Sequence, residues 1–144
     1  MDKRIEKTLG KVREAAIDVL ARRGFAAFKA GQVEAGMAGL RQAAAREDAS
    51  EKHVVSPGPL LPAREVLATA LLERGDFAGA LREFEAVLAK EPNRLRSMAG
   101  AAVAAERGGD AARARDYADK VTKQTAQADA GVPGIQLARE SVTR

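Results

Sequence analysis

The residues that could form a metal site or hold a phosphate are few in this sequence. His53 is the single histidine and there is no cysteine, so a zinc site would need its remaining ligands from carboxylates alone. Gly108 and Gly109 are not followed by the Lys-Ser or Lys-Thr of a phosphate-binding loop. The sequence therefore predicts no metal ligand and no cofactor, and it favours a solvated histidine at position 53.

The acidic residues are equally poorly placed for general acid and base catalysis. Glu83 and Glu85 are two residues apart, so on a helix their side chains point in different directions and cannot share a proton. Glu47 and Asp48 adjoin each other at a helix end that we expect to be solvated. The sequence therefore predicts no catalytic residue and no enzymatic activity.

The composition predicts a helical core built from small side chains. The chain has 144 residues, of which 46% are hydrophobic and only 3% aromatic, so close approach of helices has to replace large side chains in the packing. Charged residues interrupt every long apolar run, including the one that a signal peptide would need near residue 10. We expect a cytoplasmic location for the chain as given, or a periplasmic one if it is a piece of an exported protein.

The apolar residues recur every three or four positions along nearly the whole chain, which is typical of amphipathic helices. Ile5, Leu9 and Val12 begin such a stripe on a long helix that opens near Asp2 and can extend to Ala30. Further helices are predicted near 33–47, 62–74, 77–90, 94–107 and 110–126, and Pro133 can start a short capping helix. The sequence therefore predicts an all-α protein.

These helices fall into pairs that repeat every 34 residues. Gly75 and Ala80 have counterparts 34 positions later in Gly109 and Ala114, and a third copy, which starts 44 positions upstream of the second, has its turn glycine at Gly31. The ten additional residues upstream contain Ser-Pro-Gly-Pro, which predicts an extended connection. We expect a single domain, 1–144, divided into an N-terminal helix extension 1–16, repeats 17–50, 61–94 and 95–128, a linker 51–60 and a capping segment 129–144.

The repeat resembles that of the tetratricopeptide repeat family. The resemblance lies in a small residue within the first helix, a turn glycine and a small residue that opens the second helix, and in Phe84 and Pro92 of the copy at 61–94. The small residues and turn glycines are Gly24, Ala68 and Ala102, then Gly31, Gly75 and Gly109, then Gly36, Ala80 and Ala114. Ala118 and Ala126 of the last copy depart from the pattern. The segment around 51–60 also looks similar to stretches in bacterial repeat proteins.

This resemblance implies a right-handed superhelical stack of helix-turn-helix repeats, an α-solenoid, with the first helix of each pair along a concave groove. The groove would bind a peptide or a helix of a protein partner. The groove residues implied are Phe25, Phe28, Lys29, Glu65, Thr69, Leu72, Glu73, Arg96, Val103, Glu106 and Arg107. Phe25 and Phe28 have packing in the core as their alternative role.

Some members of the family hold the terminal carboxylate of a peptide with a clamp of lysine, asparagine and arginine. The matching positions here are Ala21, Phe25, Val66, Arg96 and Gly100. Only Arg96 has a suitable side chain. We therefore expect an internal or hydrophobic peptide, or another helix, rather than a charged chain end.

Two other functions stay open at this point. The apolar stripe of the N-terminal helix could make the chain a self-association module, and helical repeats of similar length also bind RNA. The calculated isoelectric point of about 9.7 favours RNA, whereas Glu65, Glu73 and Glu106 in the implied groove oppose a phosphate backbone. We expect protein or peptide partners, and nucleic acid is the less favoured alternative.

Overall fold

The computed structural model describes residues 2–50, 61–128, 131 and 133–143. Within these ranges the chain forms helices and no strand, so the predicted all-α class is confirmed. The helices are α1 Lys3–Lys29, α2 Val33–Asp48, α3 Ala63–Arg74, α4 Phe77–Lys90, α5 Leu95–Arg107, α6 Ala111–Thr125 and α7 Pro133–Val142. The linker 51–60, with His53, lies outside the described residues. The chain divides into two compact units, residues 1–70 and 71–144.

Helix α1 follows the stripe that the sequence predicts and is one continuous helix. Asp2 caps it, with its Oδ1 accepting a hydrogen bond from the Arg4 amide at 2.9 Å. Residues 3–16 and the first helix of the first repeat therefore have no break between them. Ile17 and Ala21 are buried and form a small core with Ala43 of α2 and Ala63 of α3.

Helices α1 and α2 pack at a distance that only glycine allows. A Cβ atom on Gly36 would lie 2.5 Å from the backbone nitrogen of Phe28, and one on Gly24 would lie 3.0 Å from the backbone nitrogen of Leu40. Real Cβ atoms essentially never approach backbone as closely as the first of these distances. The small residues of the repeat pattern are thus the points where the two backbones meet, as the aromatic-poor composition predicts.

The turns between paired helices have the same geometry in all three repeats. Gly31, Gly75 and Gly109 have φ angles of +86°, +87° and +83°, a left-handed conformation that glycine adopts without steric cost. In each turn the following amide donates to the carbonyl five residues earlier, at 2.9 Å for Gln32 to Ala27, 2.9 Å for Asp76 to Leu71 and 2.8 Å for Asp110 to Ala105. This Schellman arrangement ends the first helix of each pair.

Two aspartates start the second helices of the last two repeats. Asp76 accepts a hydrogen bond from the Gly79 amide at 2.8 Å, and Asp110 accepts one from the Arg113 amide at 3.1 Å. Each side chain satisfies an amide that has no partner within its own helix. At these two turns, the Gly-Asp pair therefore specifies both the end of one helix and the beginning of the next.

The start of α3 is held by carboxylates of α2 within the first unit. Glu47 Oε2 accepts a hydrogen bond from the Ala63 amide at 2.7 Å, and Asp48 forms an ion pair with Arg64. Asp48 is exposed and Glu47 is half-buried, so the predicted helix end does keep contact with solvent, and both carboxylates have a structural role in addition. They connect two helices that the linker separates along the chain.

In the second unit, α5 is the central helix. Helices α4, α6 and α7 all pack against it, and seven of its thirteen residues are buried, five of them alanines. Met98 and Ala99 of α5 share a core with Val121 of α6 and Ala138 of α7. Arg139 of α7 also donates a hydrogen bond to the carbonyl of Thr125. The segment predicted to cap the repeats thus packs on the last helix pair.

Candidate protein-binding surface

The accessible residues of α5 lie on one narrow stripe. Arg96, Glu106 and Arg107 are exposed, and Gly100 and Val103 between them are half-buried. Their spacing of three and four residues places them on a single helix face. The remaining faces of α5 pack against α4, α6 and α7, so this stripe is the face of α5 open to a partner.

The stripe contains four of the groove residues predicted from the sequence and combines opposite charges with an apolar side chain. Arg96 lies at its beginning, Val103 in the middle, and Glu106 next to Arg107 at its end. Ala99, which the same spacing would place nearby, is instead buried, in a core cluster that also contains Ala138 of α7. The stripe can therefore present two cations and one anion around an apolar centre.

Leu72 and Glu73, at the end of α3, are also accessible in the second unit. Glu73 is exposed and Leu72 is half-buried. They lie in the last turn before the left-handed Gly75. Both predicted residues therefore retain side-chain surface for a contact.

In the first unit, Phe25 and Phe28 form an aromatic pair near the end of α1. Their ring centroids are 6.2 Å apart with planes tilted by 32°, and the Nζ atom of Lys29 lies 6.0 Å from the centroid of Phe25. Both rings are half-buried, so each contributes to packing and keeps an open edge. A cation beside aromatic rings offers an apolar contact with a charged border.

Glu65 departs from the prediction of an accessible groove residue. Its side chain is fully buried, and it lies in the first turn of α3, where the helix dipole favours a negative charge. Thr69, one turn later, is half-buried and donates its hydroxyl proton to the Glu65 carbonyl at 2.9 Å. A partner on the surface cannot reach the Glu65 carboxylate, so this residue belongs to the interior of the protein.

The structure also brings together a polar cluster that the sequence reading missed. The Tyr117 hydroxyl on α6 donates to Glu85 Oε1 on α4 at 3.1 Å, and an Arg113 guanidinium nitrogen lies 3.5 Å from the same oxygen. Burial and the negative charge of Glu85 raise the pKa of Tyr117 to about 12. Tyr117 lies 32 residues after Glu85. This separation is close to the repeat length, and it is the one feature of the sequence that could have indicated the contact.

The described part of the chain contains no group of three or more His, Cys, Asp or Glu side chains arranged to hold a metal ion. Among the same residues, no helix is both long enough and apolar enough to cross a membrane.

A comparison with protein families matched residues 71–131 to the family described as tetratricopeptide repeat. The matched range includes all of α4, α5 and α6. Comparisons with curated proteins and with solved structures gave no match. Repeats of this family generally mediate interactions between proteins. The match covers less than half of the chain, and together with the adjacent helix pairs and the repeated glycine turns it supports a tetratricopeptide repeat protein.

Proposed function

We propose that the protein is a non-catalytic scaffold that binds a peptide or a helix of a partner protein along its first repeat helices. The observation that carries this proposal is the accessible stripe of α5. A helix surrounded by three others keeps one open face, and that face bears the groove residues expected of a first helix. The described residues contain no cluster suited to a metal, which is compatible with a binding role.

The chemistry of the stripe favours a partner segment of mixed character. Val103 can contact an apolar side chain, while Arg96 and Arg107 can pair with carboxylates on either side of it. Glu106 beside Arg107 disfavours a uniformly acidic ligand and opposes a phosphate backbone. We therefore propose an amphipathic segment with an apolar anchor and flanking acidic residues.

The aromatic pair of the first unit supports the same function on separate grounds. Half-buried aromatic rings are rigid and lose little conformational entropy when a partner covers them. Phe25 and Phe28 thus offer an apolar contact, and Lys29 adds a cation at its border. We propose these three residues as a second contact.

A library of displayed peptides, selected on the full chain, tests the proposal. We expect enrichment of peptides that combine an apolar residue with acidic neighbours. The variant R96A/R107A should bind the selected peptides at least about tenfold more weakly, because each lost pair removes roughly 0.5–1 kcal/mol or more at a partly desolvated surface. A Val103→Ser variant should weaken binding as well.

The matched control is R82A/K123A, which removes the same charge from exposed positions of α4 and α6. It should bind the selected peptides like the parent chain. Equal binding by R96A/R107A and by the parent would place the binding surface elsewhere. The melting temperatures of R96A/R107A and R82A/K123A should stay close to that of the parent, since all four substituted side chains are exposed.

A further inference from the structure

The N-terminal half of α1 carries an apolar stripe that the fold leaves uncovered. Ile5, Leu9, Val12 and Val19 are exposed by 52%, 42%, 60% and 46%, although large apolar side chains are normally among the most buried. Ala16, which continues the stripe, is exposed too. Their spacing alternates between four and three residues, which is the heptad pattern of a helix that pairs with another helix.

This stripe is distinct from the face by which α1 joins its own unit. The buried residues Ile17, Ala21 and Gly24 lie roughly a third of a turn around the helix from the stripe, at 100° per residue. One helix therefore has two apolar faces, of which the first unit covers only one. The second face needs an occupant from outside the unit.

We propose that this occupant is a second copy of the same helix, antiparallel to the first, which makes the protein a symmetric dimer. In the heptad, Ile5, Val12 and Val19 take the d positions, and Leu9 and Ala16 take the a positions. An antiparallel pair joins a positions to d positions. One register places Leu9 against Val12 of the other copy and Ile5 against Ala16, each contact occurring twice by symmetry.

Charge complementarity selects this arrangement. Glu6 and Arg13 both occupy e positions, and in an antiparallel pair the e positions of the two helices face each other. In the register just described, Glu6 of each copy lies next to Arg13 of the other, which creates two ion pairs across the interface. Within one helix, Glu6 and Arg13 are about 10 Å apart along the axis, so they cannot pair with each other in the same chain.

The alternative arrangements lack these features. A parallel pair would bring Arg13 at an e position next to a g position of the other copy, and the g positions between Ile5 and Val19 are Thr8 and Ala15, which carry no charge.

Sliding the antiparallel pair by one heptad in one direction leaves a single apolar layer, Leu9 with Ile5, and brings the two Glu6 side chains together. Sliding it in the other direction keeps two apolar layers but brings the two Arg13 side chains together. The proposed register avoids both repulsions and leaves Val19 at the edge of the pair, opposite Asp2. In the proposed register, residue 17 of each copy lies opposite residue 4 of the other copy. Packing of α1 within its own unit begins at residue 17, so the folded units of the two copies lie at opposite ends of the helix pair.

Analytical ultracentrifugation of the full chain over a range of concentrations tests the proposal. We expect a mass that rises with concentration from one chain to two. Glu6→Arg and Arg13→Glu should each weaken dimerisation about tenfold, because either change turns two attractive pairs into two repulsive ones. The double variant E6R/R13E, which restores opposite charges, should regain most of the affinity.

The matched control is Glu14→Arg, which makes the same charge change on the outward face of the pair and should leave dimerisation unchanged. Val12→Asp should abolish the dimer while circular dichroism stays helical, since Val12 is exposed and supports no core. A mass of one chain at every concentration overturns the proposal, as does a mass above two chains. A dimer that E6R/R13E does not restore overturns the antiparallel pairing.

Discussion

The phenyl ring of Phe84 occupies the space that a side chain on Gly100 would need. A Cβ atom on Gly100 would lie 2.4 Å from Cζ of Phe84, and Phe84 is only 3% exposed. The ring of the second helix in one repeat therefore fits into a gap in the first helix of the next. Phe84 and Gly100 therefore form one contact between neighbouring repeats, in which the absent side chain of the glycine makes room for the ring.

Gly100→Ala should destabilise the second unit by about 1–3 kcal/mol, because the buried ring has to move to accept the methyl group. Gly10→Ala is the matched control, since no atom lies within 4 Å of its would-be Cβ. That change should stabilise α1 by up to about 1 kcal/mol through helix propensity. Urea denaturation measures both free energies, and a stabilising Gly100→Ala would contradict the contact.

The same contact predicts how Phe84 itself responds. Phe84→Ala should cost about 3–5 kcal/mol, because it leaves a cavity among buried residues. Phe84→Leu makes room beside Gly100, so the added cost of Gly100→Ala should be smaller in that background than in the parent. A double-mutant cycle followed by denaturation measures this coupling, and strict additivity would indicate that the two residues do not share a contact.

Substitution of the turn glycines should lower the free energy of unfolding through the backbone conformation alone. A Cβ atom on Gly31, Gly75 or Gly109 would meet no atom within 4 Å, yet each has a φ angle near +85°. Alanine at each position should therefore cost about 1–2 kcal/mol, the penalty of the left-handed conformation. Thermal or chemical denaturation of the three single variants provides the test, with Gly10→Ala again as the control. A negligible cost at these positions would show that the turns rearrange.

Much of the fold can be predicted from the sequence because its signals are local. The helix ends near Gly31, Gly75 and Gly109 follow from glycine at the left-handed position, and the predicted bounds of α2 to α6 differ from the structure by one residue at most. The small residues repeat at the crossings because backbones meet there. Such rules act over a few residues and need no knowledge of distant contacts.

The placement of the site residues was harder to predict because it depends on distant contacts. The spacing on α3 puts Glu65 and Thr69 on the groove face, yet Glu65 is fully buried. The spacing on α5 likewise allows Ala99 to reach the groove, whereas Ala99 is buried in a cluster that includes Ala138 of α7. Helical periodicity gives the direction of a side chain, while burial depends on which other segment packs there.

The close packing of α4 predicts contrasting effects at two alanines on that helix. Ala80 is fully buried, so Ala80→Leu should overpack the helix crossing and destabilise the protein by about 1–3 kcal/mol. Ala78, two residues earlier, is exposed, and Ala78→Leu should change stability by less than about 0.5 kcal/mol. Denaturation curves of the two variants, which add the same atoms, measure the difference. Similar costs at both positions would contradict the packing of α4.

Tyr117 is the single tyrosine of the chain, so the ultraviolet absorbance of tyrosinate reports on it alone. Burial and the nearby Glu85 carboxylate raise its pKa from 10.0 to about 12. Glu85→Gln should lower that pKa without restoring the ordinary value, because burial still disfavours the phenolate. Glu83→Gln removes the same charge from α4 at a residue that does not contribute to the shift, and it should leave the titration of Tyr117 unchanged.

The raised pKa also predicts how stability depends on alkaline pH. Because the folded pKa lies above the unfolded one, the contribution of Tyr117 is fully present below about pH 10 and is lost as the pH rises towards 12. Tyr117→Phe removes the titrating group and its hydrogen bond to Glu85, so it should lower stability at neutral pH by about 0.5–1.5 kcal/mol and flatten the decline above pH 10. Urea denaturation of both proteins between pH 7 and 11 measures the two slopes. Equal slopes, or an absorbance midpoint near 10 while circular dichroism is still helical, would mean that Tyr117 does not contact Glu85 in solution.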